Sequence, residues 1–151
     1  MTRVERALAE LGLPTRVVRM PASTRTAAEA AATCGCAVAQ IVKSMVFEGR
    51  SSGRLVLLLV SGAHDVDLDR AAAAVGEGLS RADPKRVRAE TGFAIGGVSP
   101  VGHLAPIGAW MDASLLEHEV VWAAAGAPDA VFAAPPAALR DATGAAVFAV
   151  A

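Results

Sequence analysis

Cysteine is scarce in this chain of 151 residues, since only Cys34 and Cys36 are present. A disulfide across a single intervening residue would be strained. Two thiols without neighbouring histidines are also too few for a structural zinc site. We therefore expect two partly buried free thiols in a reducing compartment.

A basic surplus is also missing, because 15 acidic residues balance 14 lysines and arginines and leave a net charge of -1. Proteins that grip long stretches of nucleic acid usually carry excess positive charge. Wrapping a duplex, or binding DNA, is not expected. Contact with only the end of a nucleic acid needs few cations and stays open.

Long apolar runs are absent as well. Even the strongly apolar run of large aliphatic residues at 55–60 is far shorter than the ~20 residues of a membrane-spanning helix. The first residues, MTRVERALAELG, are charged and amphipathic and lack the apolar core of a signal peptide. We expect a cytoplasmic protein without membrane contact. Its 54% hydrophobic and 19% charged residues suit one folded domain over 1–151.

Capping signals and hydrophobic periodicity predict helices interleaved with strands, without a regular βαβ alternation. This pattern indicates an α/β (α+β) fold, with a mixed or barrel-like sheet and helices outside it. We expect helices over about 3–11, 26–33, 68–75, 84–91 and 136–143, and strands at 16–20, 41–48, 54–61, 108–112, 119–124, 129–133 and 145–150.

Lys43 is the most informative residue of the chain. Strand alternation places it on one face with Ile41, Met45 and Phe47. An ammonium among hydrocarbon side chains is costly unless it has a partner. Lys43 is either a functional residue or a lysine whose aliphatic chain packs against the core while its ammonium group reaches water.

A second informative feature is the loop at 92–107, which contains four glycines and two prolines. Gly96 and Gly97 leave the backbone uncovered and free to adopt positive φ. Exposed N–H groups in such a turn can bind a phosphate, a hydroxyl or a developing oxyanion. The spacing fits neither a dinucleotide fingerprint nor a P-loop.

Five segments carry a recurring residue pattern. They are T-x-x-E-A-A at 26–31, I-V-K-S-[LM]-V-F at 41–47, T-G-[FY]-x-I-G-G-V-x-P-x-G-H at 91–103, [FW]-[IM]-D-x-x-L at 110–115 and A-A-G-x-P-x-x-V-F at 124–132. In this order and spacing they closely resemble the YbaK/EbsC group of the prolyl-tRNA editing domain superfamily. The segments Cys34-Gly35-Cys36 and His64-Asp65 depart from the family pattern, which bears on specificity.

The resemblance implies a mixed, largely antiparallel, barrel-like sheet with flanking helices. It implies metal-free and cofactor-free hydrolysis of a mischarged aminoacyl-tRNA in trans, with the tRNA 3′ end as partner and a synthetase or elongation factor as a further one. It also implies that Lys43 is the functional residue. The implied substrate-binding residues are Gly96, Gly97, Val98, Ser99, Pro100 and His103.

Three further residues are candidates for substrate contact. Asp112 could orient water or the free amino group of the substrate, and it could equally cap the helix that follows it. Met45 and Phe93 are candidates for the pocket that sets amino acid specificity. The sequence does not reveal which amino acid or which tRNA is recognised, nor the oligomeric state.

Three rival hypotheses use other chemistry. A Ser99–His103–Asp112 triad is disfavoured because a proline follows the serine, where an oxyanion hole needs an N–H. A metal hydrolase using His64, His103 and His118 lacks the close spacing of zinc motifs. A binding module for a tRNA end or nucleotide-like ligand remains open, since the site has no strong nucleophile or base.

Overall fold

The computed structural model describes residues 2–22, 24 and 26–151. These described residues form five α-helices: α1 (Arg3–Glu10), α2 (Ala27–Cys34), α3 (Leu68–Val75), α4 (Pro84–Thr91) and α5 (Pro136–Thr143). The same described part of the chain forms eight strands: β1 (Val18–Arg19), β2 (Ile41–Gly49), β3 (Leu55–Ser61), β4 (Leu79–Arg81), β5 (Gly108–Asp112), β6 (Val121–Ala124), β7 (Ala130–Ala134) and β8 (Ala146–Phe148). Short 3₁₀ helices cover Val38–Gln40 and Ala113–Glu117.

The helix ends follow the capping chemistry of the sequence. Thr2 accepts from the backbone N–H of Glu5, whose carboxylate accepts from the N–H of Thr2, as in a capping box. Thr26 accepts from the N–H of Glu29 at the start of α2. The helices are short, and none in the described part of the chain is long and apolar enough to cross a membrane.

All eight strands belong to one mixed sheet. Its order is β1-β7-β6-β2-β3-β5-β8, and β4 pairs with β2 outside this path. Four pairings are antiparallel and three are parallel, namely β2 with β6, β3 with β5 and β5 with β8. The predicted mixed, largely antiparallel sheet with flanking helices is confirmed.

Strand β3 lies at the centre of the sheet and is buried along its whole length. Its odd residues, such as Leu57 and Leu59, pack into the main core, whereas Leu58 and Val60 pack into a second cluster on the opposite face. Because both faces are covered, this strand reads in the sequence as a continuous apolar run instead of an alternating one.

Several details differ from the sequence predictions. Strand β4 was not predicted, because its three residues lie between two helices and show no alternation. The strand expected at 16–20 is reduced to Val18–Arg19, and the one expected from 119 begins at Val121.

Both cysteines are free, and partial burial raises the pKa of each thiol.

Strand β2 has an interrupted edge. It pairs with β3 along Val42 to Glu48 on one side. On the other side β6 covers only Ile41 and Val42, and β4 covers only Phe47–Gly49. In the described chain, the intervening residues 43–46 therefore have no strand neighbour on that side.

Candidate active site

A cavity of about 400 Å³ opens over this interrupted edge of β2. Its walls come from α2, β4, β6, β7 and the glycine-rich loop. The lining residues are Thr24, Thr26, Ala27, Ala30, Ile41, Val42, Lys43, Ser44, Met45, Val46, Phe47, Arg81, Ala82, Ile95, Gly96, Val98, Trp122, Ala123, Ala124 and Val131. The lining is largely apolar, and none of these residues is an Asp, Glu, His or Cys. Among the described lining residues, the two charged side chains, Lys43 and Arg81, are both cationic.

Lys43 is half-buried in the cavity wall, and its ammonium donates a hydrogen bond to the backbone carbonyl of His64. A carbonyl partner satisfies one of the three ammonium hydrogens without neutralising the charge. Arg81 is exposed at the rim and has no ion-pair partner among the described residues. The cavity can therefore receive an anionic or electron-rich group.

The turn that holds Lys43 is itself fixed by Asp112. Oδ2 of Asp112 accepts from the N–H of Ser61 at 3.0 Å and lies 2.9 Å from Nδ1 of His64. Oδ1 accepts from the N–H and the hydroxyl of Ser114. Burial raises the pKa of Asp112, but these hydrogen bonds outweigh it and leave the pKa below its ordinary value. Asp112 thus caps the 3₁₀ helix and lies outside the cavity lining.

The glycine-rich loop brings Gly96 and Val98 to the cavity. Gly96 has φ of +92°, a region that side chains other than glycine rarely adopt. Gly97 does not line the cavity, and its N–H is used within the turn, where it donates to the carbonyl of Ala94. Among the described residues, the N–H groups of Gly96 and Val98 have no acceptor.

Arg3 anchors both ends of this loop, a role that the sequence patterns did not reveal. Its guanidinium donates to the carbonyl of Gly92 at 2.9 Å and to that of Gly102 at 3.1 Å. It also lies 4.8 Å from the centre of the Phe93 ring, in a cation–π arrangement. An arginine on an amphipathic helix gives no sequence signal for a contact 99 residues away.

Four further predicted site residues lie elsewhere, in addition to Gly97 and Asp112. Phe93 is buried in the main core, and its ring meets that of His103 edge to face at 5.9 Å. Pro100 and His103 line a separate cavity of about 150 Å³. Ser99 is fully buried, and its hydroxyl accepts from the N–H of Val101. The structure brings together Lys43, Met45, Gly96 and Val98, but not these four.

The Ser99–His103–Asp112 triad is not assembled. Nε2 of His103 lies 2.7 Å from the backbone carbonyl oxygen of Ser99, not against its hydroxyl. Burial lowers the pKa of His103 despite that hydrogen bond. Asp112 contacts His64 instead. Within the described residues, no three side chains of His, Cys, Asp or Glu converge as potential metal ligands.

Comparisons with known proteins identify similar sequences and folds. Residues 21–142 match the family model described as the aminoacyl-tRNA editing domain. A solved structure described as a candidate trans-editing enzyme for prolyl-tRNA synthetase is 50% identical, with a TM-score of 0.91 over 98% of this chain and 94% of the other. The hypothetical protein APE2540 is 30% identical, with a TM-score of 0.90 over 99% of both chains.

Two curated proteins are more distant. The uncharacterised protein YwhH of Bacillus subtilis (strain 168) is 27% identical over 83% of this chain and 79% of its own length. The proline–tRNA ligase of Thermosipho melanesiensis is 33% identical over 81 residues, which are 53% of this chain but only 14% of the ligase. The similarity to the ligase is therefore confined to a small part of a much longer protein.

Proposed function

Because this chain belongs to the aminoacyl-tRNA editing domain family, we propose that it hydrolyses the ester bond of a mischarged tRNA in trans. A water molecule attacks the ester carbonyl carbon, and the bond from that carbon to the ribose oxygen breaks. The ribose oxygen takes up the proton that the water loses. The products are a free amino acid and an uncharged tRNA.

The observation that carries this proposal is the position of Lys43. Its half-buried ammonium shares one cavity with the loop residues Gly96 and Val98, whose N–H groups have no acceptor in the described chain. A fixed cation and free N–H donors that line one cavity are the groups with which a site can stabilise an oxyanion. The ester is already activated, so positioning and charge stabilisation matter more than a strong protein nucleophile.

Each group has a defined role in this reaction. Lys43 supplies positive charge near the ester or the terminal phosphate. The N–H groups of Gly96 and Val98 hold the carbonyl or sugar oxygen, whereas that of Gly97 keeps the turn closed. The tRNA body is far too large for a cavity of about 400 Å³, so only the aminoacylated 3′ end enters.

The test is a deacylation assay over a panel of mischarged tRNAs with Lys43→Ala. Loss of one oxyanion-stabilising donor typically lowers kcat by ~10²–10³-fold, so we expect an effect of that order. The matched control is Lys85→Ala, since Lys85 is exposed on α4 outside the cavity lining. Full activity of Lys43→Ala would remove the proposed role of this lysine.

A non-catalytic binding module is the second candidate function. It is favoured by the described cavity lining, which contains no carboxylate, imidazole or thiol that could activate water. Turnover separates the two candidates under substrate excess. A deacylase discharges many equivalents of charged tRNA, whereas a binding module protects at most one equivalent from spontaneous hydrolysis.

The proposal extends to partners and conditions. The acceptor 3′ end of tRNA is the primary partner, and an aminoacyl-tRNA synthetase or elongation factor would supply affinity that a net charge of -1 does not. Charged tRNA as substrate implies a cytoplasmic site of action. The reaction as written uses no metal ion, so activity should persist in excess EDTA.

A further inference from the structure

The hydrogen-bond ladder of β2 fixes which of its main-chain groups point toward β3. In an antiparallel pair, residues that exchange N–H···O bonds with the partner strand alternate with residues that do not. Ile41 accepts from the N–H of Gly62, and Gly49 donates to the carbonyl of Arg54, with an unbroken register between these bonds. Strand β2 therefore bonds to β3 through its odd-numbered residues, and the N–H and C=O of Ser44 point to the opposite edge.

That opposite edge is the interrupted one. Beyond the strand end, Arg50 donates there to the carbonyl of Gly78, as the alternation requires. Residues 43–46 have no strand neighbour on this side in the described chain. The N–H and C=O of Ser44 accordingly have no hydrogen-bond partner among the described residues. Ser44 lines the cavity although its hydroxyl is buried, so these main-chain groups are placed to contact a ligand.

The α-amino group of an aminoacyl ester needs a hydrogen-bond acceptor in this cavity. Among the described lining residues, the charged side chains of Lys43 and Arg81 are donors only. The hydroxyls of Thr24 and Thr26 are already engaged with main-chain groups. A carbonyl oxygen accepts without carrying a negative charge, and Ser44 offers one that is unpaired.

We infer that the main-chain carbonyl of Ser44 accepts a hydrogen bond from the α-amino group of the aminoacyl ester. This inference rests on the proposed deacylase function. The open edge of β2 then orients the amino acid, while Lys43 and the N–H groups of the glycine-rich loop act on the ester. The site would thereby recognise α-amino acid esters as a class and discriminate against esters that lack the amino group.

Substrate analogues test this contact in the unmodified protein. The series is built on the amino acid that the deacylation panel shows to be discharged fastest. It comprises the aminoacyl ester, its α-hydroxy analogue and its analogue without an α substituent, each on the same tRNA. Dividing each kcat/KM by the spontaneous hydrolysis rate of the same ester removes differences in intrinsic reactivity. This normalised rate should be ~10–100-fold larger for the aminoacyl ester than for the unsubstituted one.

The α-hydroxy ester should give an intermediate value. A hydroxyl can donate only one hydrogen bond and carries no charge, whereas hydrogen bonds from a charged donor are roughly twice as strong.

A main-chain replacement tests the same contact from the protein side. Replacing Met45 with its α-hydroxy acid turns the peptide bond after Ser44 into an ester, whose carbonyl is a weaker acceptor. It also removes the N–H of Met45, which belongs to the ladder with β3. The matched control replaces Val56 with its α-hydroxy acid, because Val56 pairs with Phe47 in the same ladder and does not line the cavity.

Relative to this control, the replacement at Met45 should lower the normalised rate of the aminoacyl ester by ~3–10-fold. The unsubstituted ester should be discharged equally by the two proteins. Circular dichroism shows whether both are folded, and if the Met45 replacement is not, the analogue series on the unmodified protein decides alone.

Two results would overturn the inference and leave the proposed deacylase function intact. One is an equal normalised rate for all three esters with the unmodified protein. The other is a folded Met45 replacement that slows the aminoacyl and the unsubstituted ester equally. Discharge of no ester in the whole panel would instead refute the proposed function, and this inference with it.

Discussion

The Lys43 ammonium donates to the backbone carbonyl of His64, the residue whose imidazole contacts the buried carboxylate of Asp112. A carboxylate outside the cavity thereby fixes the turn that orients the cation inside it. Asp112 acts in this arrangement as a positioning residue, since its side chain does not reach the cavity lining. Activity and stability should both depend on it.

Asp112→Asn should weaken this arrangement while preserving the helix cap, because asparagine is a good N-cap residue. The amide can no longer accept from Ser61, His64 and Ser114 together, so we expect a loss of about 2–3 kcal/mol in the free energy of unfolding. Deacylation should fall, with kcat affected more than KM. Urea denaturation and steady-state kinetics provide the two measurements.

Asp67→Asn is the matched control for that variant. Asp67 caps α3 with bonds to the N–H groups of Asp69 and Arg70, far from Lys43 in the chain and outside the cavity lining. It should change stability by less than about 1 kcal/mol and leave deacylation unchanged. Equal activity in Asp112→Asn and Asp67→Asn would show that the Asp112 contact does not position Lys43.

Acid should remove the contribution of Asp112 to stability. Its pKa in the folded protein lies below the ordinary value of about 3.9, so the folded state binds fewer protons than the unfolded state. The stabilisation is fully present above that value and is lost as pH falls through the lower folded-state pKa. The stability difference between the unmodified protein and Asp112→Asn should therefore narrow below about pH 4. A constant difference from pH 7 to pH 3 would contradict this.

Gly96 and Gly97 should respond differently to alanine. An added Cβ at Gly96 meets open space, but φ of +92° is strained for alanine, so we expect a loss of about 1–2 kcal/mol and slower deacylation. An added Cβ at Gly97 lies in ordinary contact, 3.7 Å from the carbonyl oxygen of Ala94, and its φ is not positive. Gly97→Ala should be close to neutral in chemical denaturation. Equal losses in the two variants would show that backbone strain is not the deciding factor.

Ser99→Ala separates the deacylase proposal from serine-nucleophile chemistry. Removing the hydroxyl leaves the buried N–H of Val101 unpaired, which should cost about 1–2 kcal/mol of stability. Deacylation measured well below the unfolding temperature should stay within about 2-fold of the unmodified protein. A loss of activity larger than ~100-fold with intact folding would restore Ser99 as a nucleophile.

Most elements of the fold could be predicted from local chemistry. Thr2, Thr26, Asp67 and Asp83 each cap a helix as expected, and the 41–48 and 54–61 runs form the central antiparallel pair. These signals are local, because a helix cap or an alternation of apolar and polar residues is defined by a few consecutive residues. Strand β4 could not be predicted, because it forms by pairing with β2, in which Leu79 lies opposite Gly49, 30 positions earlier in the chain.

The site could be predicted only in part, because only some of its residues give a local signal in the sequence. Lys43 was identifiable as a cation in an apolar strand. Gly96 was identifiable as part of a glycine-rich turn whose backbone is not covered by side chains. The contact between Asp112 and His64 joins residues 48 positions apart, and nothing in the sequence selects it over other pairs. Ser44 looked ordinary, because only the assembled sheet shows that its main-chain groups point to the interrupted edge.

The interruption beside β2 also bears on association between molecules. An unpaired strand edge invites a strand from another chain, which is a common route to aggregation. Here β6 and β4 flank the interruption, leaving four residues, or roughly 13 Å of edge. That length admits a single small ligand but is shorter than a typical strand. Within the described chain, residues 43–46 thus lack a strand partner beside the cavity, yet they are too few to serve as a template for intermolecular sheet growth.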